Sequence, residues 1–285
     1  LAACLARRRQ RLLLIDIDPQ ANATSALGIE KQAGGSIYQP LLGEATLSEK
    51  IIPTKIKRLD LLPSEMDLAG AEVDIARSER YLHRLKEALL PLTSIGTYDY
   101  IFIDCPPSLG ILTCNALTAA QALIIPVQCE YLALEGLSMI ARLVQQLRDG
   151  GANPDLKIEG IVMTMYDGRT RLAGQVAAEV RTHFGADVYE TLIPRNVRLS
   201  EAPSFGAPVC IYDPRSLGAK AYGALAGEFL RRRRPPAPDL PATTPVPAAD
   251  SMPAQVSAAD APPEDQPAPI TTPAPAPGAD VPESP

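Results

Sequence analysis

Short apolar runs alternate along the chain with longer segments in which apolar positions recur every three or four residues. Leu12–Ile17 (LLLIDI), Leu59–Leu62, Tyr98–Ile103 (YDYIFI), Ala122–Val127 (ALIIPV), Ile158–Met165 (IEGIVMTM) and Val188–Ile193 (VYETLI) read as strands. Continuous runs rich in Ile, Leu and Val suit strands covered on both faces, as in a parallel sheet. Between them, Arg77–Leu90 carries Leu82, Leu85 and Leu89, and Leu134–Leu147 carries Leu137, Ile140, Val144 and Leu147, both at helical spacing. Leu172–Phe184 and Leu217–Arg232 are two further helices, and LAACLARRRQR at the start reads as the back half of one, with cations at its C-terminal end. Strand–helix alternation of this kind predicts an α/β fold: a three-layer sandwich around a mostly parallel central sheet.

Composition divides the chain in two. Residues 235–285 hold 16 of the 29 prolines, 12 alanines and seven acids, with no Lys or Arg. The remaining 1–234 has 27 bases against 26 acids, so the net charge of −6 belongs to the C-terminal segment. That segment is too poor in large apolar groups to offset its ordering entropy and is expected to be a disordered linker or brush. It has no amphipathic pattern, which argues against a membrane-binding helix. No apolar run approaches the roughly 18 residues of a membrane span. The five cysteines form no CxxC pair and there are only two histidines, which points to free thiols in a reducing cytoplasm rather than a zinc site.

Candidate chemistry gathers at strand ends, where ligands bind in open parallel sheets. One strand ends in Asp16 and Asp18 (LLLIDIDPQANAT), another in Asp104 (YDYIFIDCPPSLG). An apolar strand ending in aspartate holds a carboxylate rigidly beside a phosphate-bound magnesium. A single strand-end aspartate is as readily a helix cap or turn former. Two in α/β units, each soon followed by proline, favour the metal and phosphate reading.

These segments, with IPVQCEYLALEGL and IPRNVRLSEAPSFGAPVCIYDPRSLGAKAY, resemble the ParA/Soj family of chromosome- and plasmid-partitioning ATPases over Leu1 to about Leu230. The resemblance implies a P-loop NTPase-like fold, ATP and Mg2+ as ligands, and hydrolysis within an ATP-dependent homodimer. It also implies non-specific binding of double-stranded DNA, a ParB-type centromere-binding partner that triggers hydrolysis, and a cytoplasmic, nucleoid-associated location without a membrane. One departure is large. The family's lysine-rich KGGVGKT-type loop is absent: Gly34-Gly35 and Gly150-Gly151 are not followed by Lys-Ser or Lys-Thr. The expectation is a chain truncated before or within its first helix, lacking a strand and loop of about twenty residues. A smaller departure is Ala21, where the family usually has glycine.

By resemblance, Asp18 is the catalytic carboxylate that positions or deprotonates the attacking water. Asp104 holds magnesium through water. Asp16 either supports that metal shell or accepts loop hydrogen bonds. Pro194 and Asn196 match a segment near the adenine, with Met165 as a second wall; ordinary strand-end packing is the alternative for all three. Arg169, Arg171, Arg195 and Arg198 match DNA-contacting arginines, or are solvated charges at helix starts. Arg231–Arg234 cap the last helix, touch DNA, or do both. Other readings are a MinD-like positioning ATPase, a reductase sharing an iron–sulfur cluster through Cys105 or Cys129, and a non-catalytic DNA-binding or scaffold remnant.

Overall fold

The computed structural model describes residues 1–131 and 133–233. Arg234 and the Pro/Ala-rich segment, with the disorder expected of it, lie outside the described residues. In chain order the elements are α1 (Ala2–Arg7), β1 (Leu12–Asp16), α2 (Asn22–Ala26), α3 (Tyr38–Leu42), α4 (Leu47–Lys50), β2 (Ile52–Pro53) and β3 (Leu59–Leu62). There follow α5 (Leu68–Ala76), α6 (Arg84–Ile95), β4 (Tyr100–Asp104), α7 (Ile111–Ala119), β5 (Ala122–Gln128) and α8 (Ala133–Asp149). β6 (Lys157–Thr164), α9 (Arg171–Phe184), α10 (Val197–Glu201), α11 (Val209–Tyr212) and α12 (Leu217–Arg232) complete the series.

The strands form two sheets, ordered β2-β3-β1-β4 and β5-β6. β1 runs parallel to both β3 and β4, β5 runs parallel to β6, and only the two-residue β2 is antiparallel. Alternation along the strands builds the three layers. Leu13 and Ile15 of β1 pack with Leu68, Leu85 and Leu112 of α5, α6 and α7. Leu12 and Leu14 face the other way, toward Leu5 of α1 and Leu225 and Phe229 of α12. Tyr100 and Phe102 of β4, Ile124 of β5 and Val162 of β6 enter that same apolar layer, so α1 and α12 cover one face of both sheets. The Phe229 ring stands edge-on to Tyr100 at 5.1 Å between centroids and tilted against Phe102 at 5.8 Å. The second sheet turns Ile125, Val127, Ile161 and Met163 toward α8 and α9. No helix among the described residues is long and apolar enough to cross a membrane.

Two expected elements are absent in the form predicted. The helix read over Arg77–Leu90 begins only at Arg84: residues 77–83 are the connection between α5 and α6, in which Arg80 has φ 56°. Buried Asn115 of α7 holds that turn: its Oδ1 accepts from Leu85 N–H at 3.2 Å and its Nδ2 donates to the Tyr81 carbonyl at 2.8 Å. The apolar spacing survives in α6, whose Leu85 and Leu89 are buried. Val188–Ile193 runs beside β6 but forms no strand; it meets β6 through isolated bridges at Val188 and Pro194. The cause is Glu228 of α12. Its buried carboxylate accepts from the amides of Glu190 (2.8 Å) and Thr191 (3.0 Å) and from the Thr191 hydroxyl (2.7 Å). These amides are drawn to α12, and ladder bonding resumes only at Ile193 N–H, 2.9 Å from the Met163 carbonyl. Arg232 donates to Glu228 at 2.9 Å and lies 4.0 Å over the Tyr189 ring, and Arg233 pairs with Glu159 at 2.8 Å. Arg232 and Arg233 are thus anchored by contacts within the fold.

Candidate functional site

Parallel register sets Asp16 directly beside Asp104, at the C-terminal ends of β1 and β4. Ile17 N–H donates to the Asp104 carbonyl at 3.0 Å and extends the pairing one residue past β1. The chain then turns sharply through Asp18–Ala21 into α2. Asp16 is fully buried and its carboxylate is committed to this turn. Oδ2 accepts from Thr24 N–H at 2.8 Å and the Thr24 hydroxyl at 2.7 Å, and Oδ1 accepts from Asp18 N–H at 3.2 Å. The Thr24 oxygen in turn accepts from Ser64 N–H at 3.1 Å, just beyond β3. Asp16, Thr24 and Ser64 thus fasten the turn to two strand ends. Of the two roles open to Asp16, the geometry shows the loop hydrogen bonds.

Asp18 is 9% exposed, and its Oδ1 accepts from Gln20 N–H at 2.9 Å. Asp104 keeps contact with solvent at the strand end, while its carboxyl sits close to protein on the β1 side. The protein around it removes water, and Asp16 and Asp18 add negative charge; together these push Asp104 up to about 6. Burial likewise raises Asp16, against the lowering effect of its bonds from Thr24 and Asp18. For Asp104 the sign follows: a folded value above the ordinary one means ionisation destabilises the fold above about pH 6, and the cost disappears as pH falls below it. A cation placed among the three carboxylates would relieve the same repulsion. Among the described residues, no three His, Cys, Asp or Glu side chains are arranged to ligate a metal together. Strand-end carboxylates are the hard oxygen acceptors that the waters of a hydrated divalent cation need.

The chain matches the model of an AAA domain over residues 1–158. It is 49% identical over 239 residues to the chromosome partitioning protein ParA of Myxococcus xanthus, covering 84% of this chain and 83% of that one. It is 52% identical over 229 residues to the sporulation initiation inhibitor protein Soj of Bacillus subtilis, covering 80% and 89%.

The chain belongs to the ParA/Soj family of partitioning ATPases.

Among solved structures, cobyrinic acid a,c-diamide synthase from Mycobacterium smegmatis, with bound ADP and magnesium, superposes with TM-score 0.69 at 36% identity, covering 81% of this chain and 85% of that one. A plasmid partition protein from Borrelia burgdorferi gives 0.64 at 26%, covering 81% and 91%.

Within the family frame, Ala21 has φ 51°, a left-handed conformation that costs an L-residue roughly 1–2 kcal/mol and glycine almost nothing. The usual glycine there is explained by this turn. Met165, the residue after β6, is also left-handed, at φ 52°. Tyr166, the residue after it, bridges to Pro194, so Met165 and Pro194 stand close together. Asn196 Oδ1 accepts from Arg198 N–H at 3.1 Å and caps α10. Arg169 is forked onto Asp167 at 2.9 and 2.7 Å and holds that carboxyl down to about 2. Arg198 pairs with Glu201 at 2.8 Å and Asp213 at 3.4 Å. Arg171 and Arg195 are exposed and make no ion pair among the described residues.

Sequence reasoning passed over Thr24, Ser64, Gly28 and Gly206. Gly28, at the end of the α2 turn, and Gly206, after SEAPSF, meet backbone to backbone: a Cβ on Gly206 would lie 2.6 Å from Gly28 Cα. A glycine closing each motif is the only sequence trace of this contact. For the buried threonine, Thr24→Val keeps the shape but leaves Ser64 N–H unpaired and removes a charge-assisted bond to Asp16. The expected loss is about 2 kcal/mol in urea unfolding. A loss below about 0.5 kcal/mol would show that this network does not hold the turn.

Proposed function

We propose that this chain forms the ATP-hydrolysing core of a partition system. ATP and magnesium occupy the C-terminal ends of β1 and β4, nucleotide binding closes a homodimer, the dimer binds DNA non-specifically, and a ParB-type partner stimulates hydrolysis. The observation that carries this reading is the register of Asp16 beside Asp104, with Asp18 on the turn above them. Asp104 holds water on the metal side, and Asp18 orients or deprotonates a water for attack. Asp16 keeps the Asp18 turn in place. Magnesium, when bound, neutralises phosphate charge. Met165 and Pro194 form an apolar wall suited to the adenine, with Asn196 fixing the backbone next to it. Val197 and Phe205, exposed at 70% and 67% in the segment that touches α2, offer apolar surface for self-association near the site. Arg171 and Arg195 are the better candidates for phosphate contact in the DNA complex, because Arg169 and Arg198 are already paired.

The described residues contain no glycine-rich turn carrying Lys-Ser or Lys-Thr, the kind of turn whose amides cradle phosphates. The edge of β4 that does not pair with β1 has no strand partner among the described residues, and a strand bearing such a loop would pair there. The test uses this chain fused behind the strand and phosphate-binding loop of the Bacillus Soj protein. Magnesium-dependent ATP hydrolysis and ATP-dependent retention of any duplex DNA are expected, both lost with Asp104→Ala. Hydrolysis indifferent to magnesium and to Asp104→Ala would overturn the assignment.

A further inference from the structure

At the opposite end of β1 from the carboxylates lies a cavity of about 610 Å3. Leu12, the first residue of β1, donates to the Arg58 carbonyl at 2.8 Å, so this cavity sits at the N-terminal edge of the sheet. Leu12 itself is roughly 13 Å from Asp16, four steps of about 3.3 Å along the strand, while Leu27, Gly206 and Ala207 on the far wall belong to the two segments that meet at Gly28 and Gly206. Arg7 and Arg9 from the end of α1, and Lys55, Lys57 and Arg58 from the β2–β3 turn, line it. No Asp or Glu lines it, and none of the five cations makes an ion pair among the described residues. This is the reverse of Arg169 and Arg198, each held by a carboxylate. Two of the cations are fixed by the backbone: Arg7 donates to the Cys210 carbonyl, and Arg58 donates to the Arg9 carbonyl at 3.5 Å. Lys55, Lys57 and Arg9 are exposed. The rest of the lining is largely apolar, with Leu27, Ile56, Pro208 and Ile211 on the wall.

The geometry points to a second anion site, separate from the hydrolytic one, that takes a nucleoside polyphosphate. Its phosphates would lie on the Arg and Lys groups and its base on the apolar wall. Five cations in one concavity without a counter-charge hold a dense anion, and guanidinium and ammonium groups both suit phosphate. The volume falls within the roughly 300–1,000 Å3 usual for small-ligand pockets. A duplex offers phosphates on a convex surface and no free apolar face to cover Leu27, Ile56 and Ile211, so the cavity favours a free nucleotide over DNA.

Calorimetry on residues 1–285 in EDTA at low salt tests this, with ATP, inorganic tripolyphosphate and a short duplex DNA as probes. ATP is expected to bind with a Kd on the order of tens of micromolar, weakening as salt is added. Tripolyphosphate should bind at least roughly tenfold more weakly, since it has no base to place on the apolar wall. Lys55→Glu with Lys57→Glu should lower ATP affinity by roughly tenfold or more while the thermal melt stays like that of the wild type. If that pair perturbs the melt, Lys55→Gln with Lys57→Gln gives the same reading with a smaller charge change. Asp104→Ala should leave binding unchanged, and because neither magnesium nor Asp104 is involved, failure here is distinct from failure of the ATPase assignment. No ATP binding, unchanged affinity in the lysine variants, or loss with Asp104→Ala would overturn the site. Tripolyphosphate binding as tightly as ATP would overturn the nucleoside part. Duplex binding through Lys55 and Lys57 without ATP binding would make this a DNA surface instead.

Discussion

Asp18→Ala, in the chain fused to a phosphate-binding loop, is expected to lower ATP turnover by roughly a hundredfold or more while leaving nucleotide affinity within about threefold. The geometry separates the two aspartates of β1. Asp16 spends both carboxylate oxygens on Thr24 and the Asp18 amide. Asp18 has one bond to its carboxylate, from Gln20 N–H, and Oδ2 accepts none among the described residues. That second oxygen is the group available to a water. Phosphoryl transfer depends on positioning and charge stabilisation, so removing a water-orienting carboxylate affects the reaction more than the binding of substrate. Asp16→Ala should behave differently, because it strips three bonds from a buried turn; its first effect is on unfolding, with activity falling along with the fold. Single-turnover hydrolysis and nucleotide calorimetry on both variants check this. Asp18→Ala with full turnover would remove the residue from the mechanism, and an Asp18→Ala variant that loses binding in step with turnover would make it a nucleotide ligand instead.

Much of the fold was legible because its strands are apolar runs, and β1 and β3 are buried on both faces. Leu12–Ile17 and Leu59–Leu62 matched the observed strands to within a residue, and Leu217–Arg232 coincides with α12. Strands whose partners are other strands depend mainly on their own side chains. Val188–Ile193 is apolar at both ends but loses its ladder at Glu190 and Thr191 to Glu228, a residue far along the sequence whose capture of two amides leaves no local trace. The break between α5 and α6 is set in the same way by Asn115. At the site, the three aspartates were legible from strand ends alone. The bonds that tie Asp16 to Thr24, and Thr24 to Ser64, were not. The arginines show the limit most clearly: four matched the family pattern, yet the acids that neutralise Arg169 and Arg198 become visible only once the chain is folded. Conversely, the charges at Arg7, Arg9, Lys55, Lys57 and Arg58 lie in two separate stretches of sequence and converge only in space.

Gly206→Ala should cost about 3 kcal/mol of stability and disturb the Asp18–Ala21 turn with it. Two effects add. Gly206 has φ 57°, where an L-residue is strained by roughly 1–2 kcal/mol, partly offset by the lower entropy of the unfolded chain. The new Cβ would also lie 2.6 Å from Gly28 Cα and 3.2 Å from Gly28 N. Those are backbone atoms, which no rotamer change can move aside, and overpacking of this kind costs roughly 1–3 kcal/mol. Gly151 provides the control: its φ is 74°, and a Cβ there would meet nothing within 4 Å. Gly151→Ala should therefore show the strain without the clash, about 1 kcal/mol. Gly28→Ala drives its Cβ to 2.8 Å from the Gly206 carbonyl oxygen, so it opens the same contact from the other side. Once either alanine has separated the two segments, the second has less to displace, and the double variant should lose less than the sum of the singles. Urea unfolding of the four variants measures this directly. Equal costs for Gly206→Ala and Gly151→Ala would show that the contact yields freely. A costly and sub-additive pair would show that the α2 turn, and the carboxylate of Asp18 it carries, is held in place by the SEAPSFG segment.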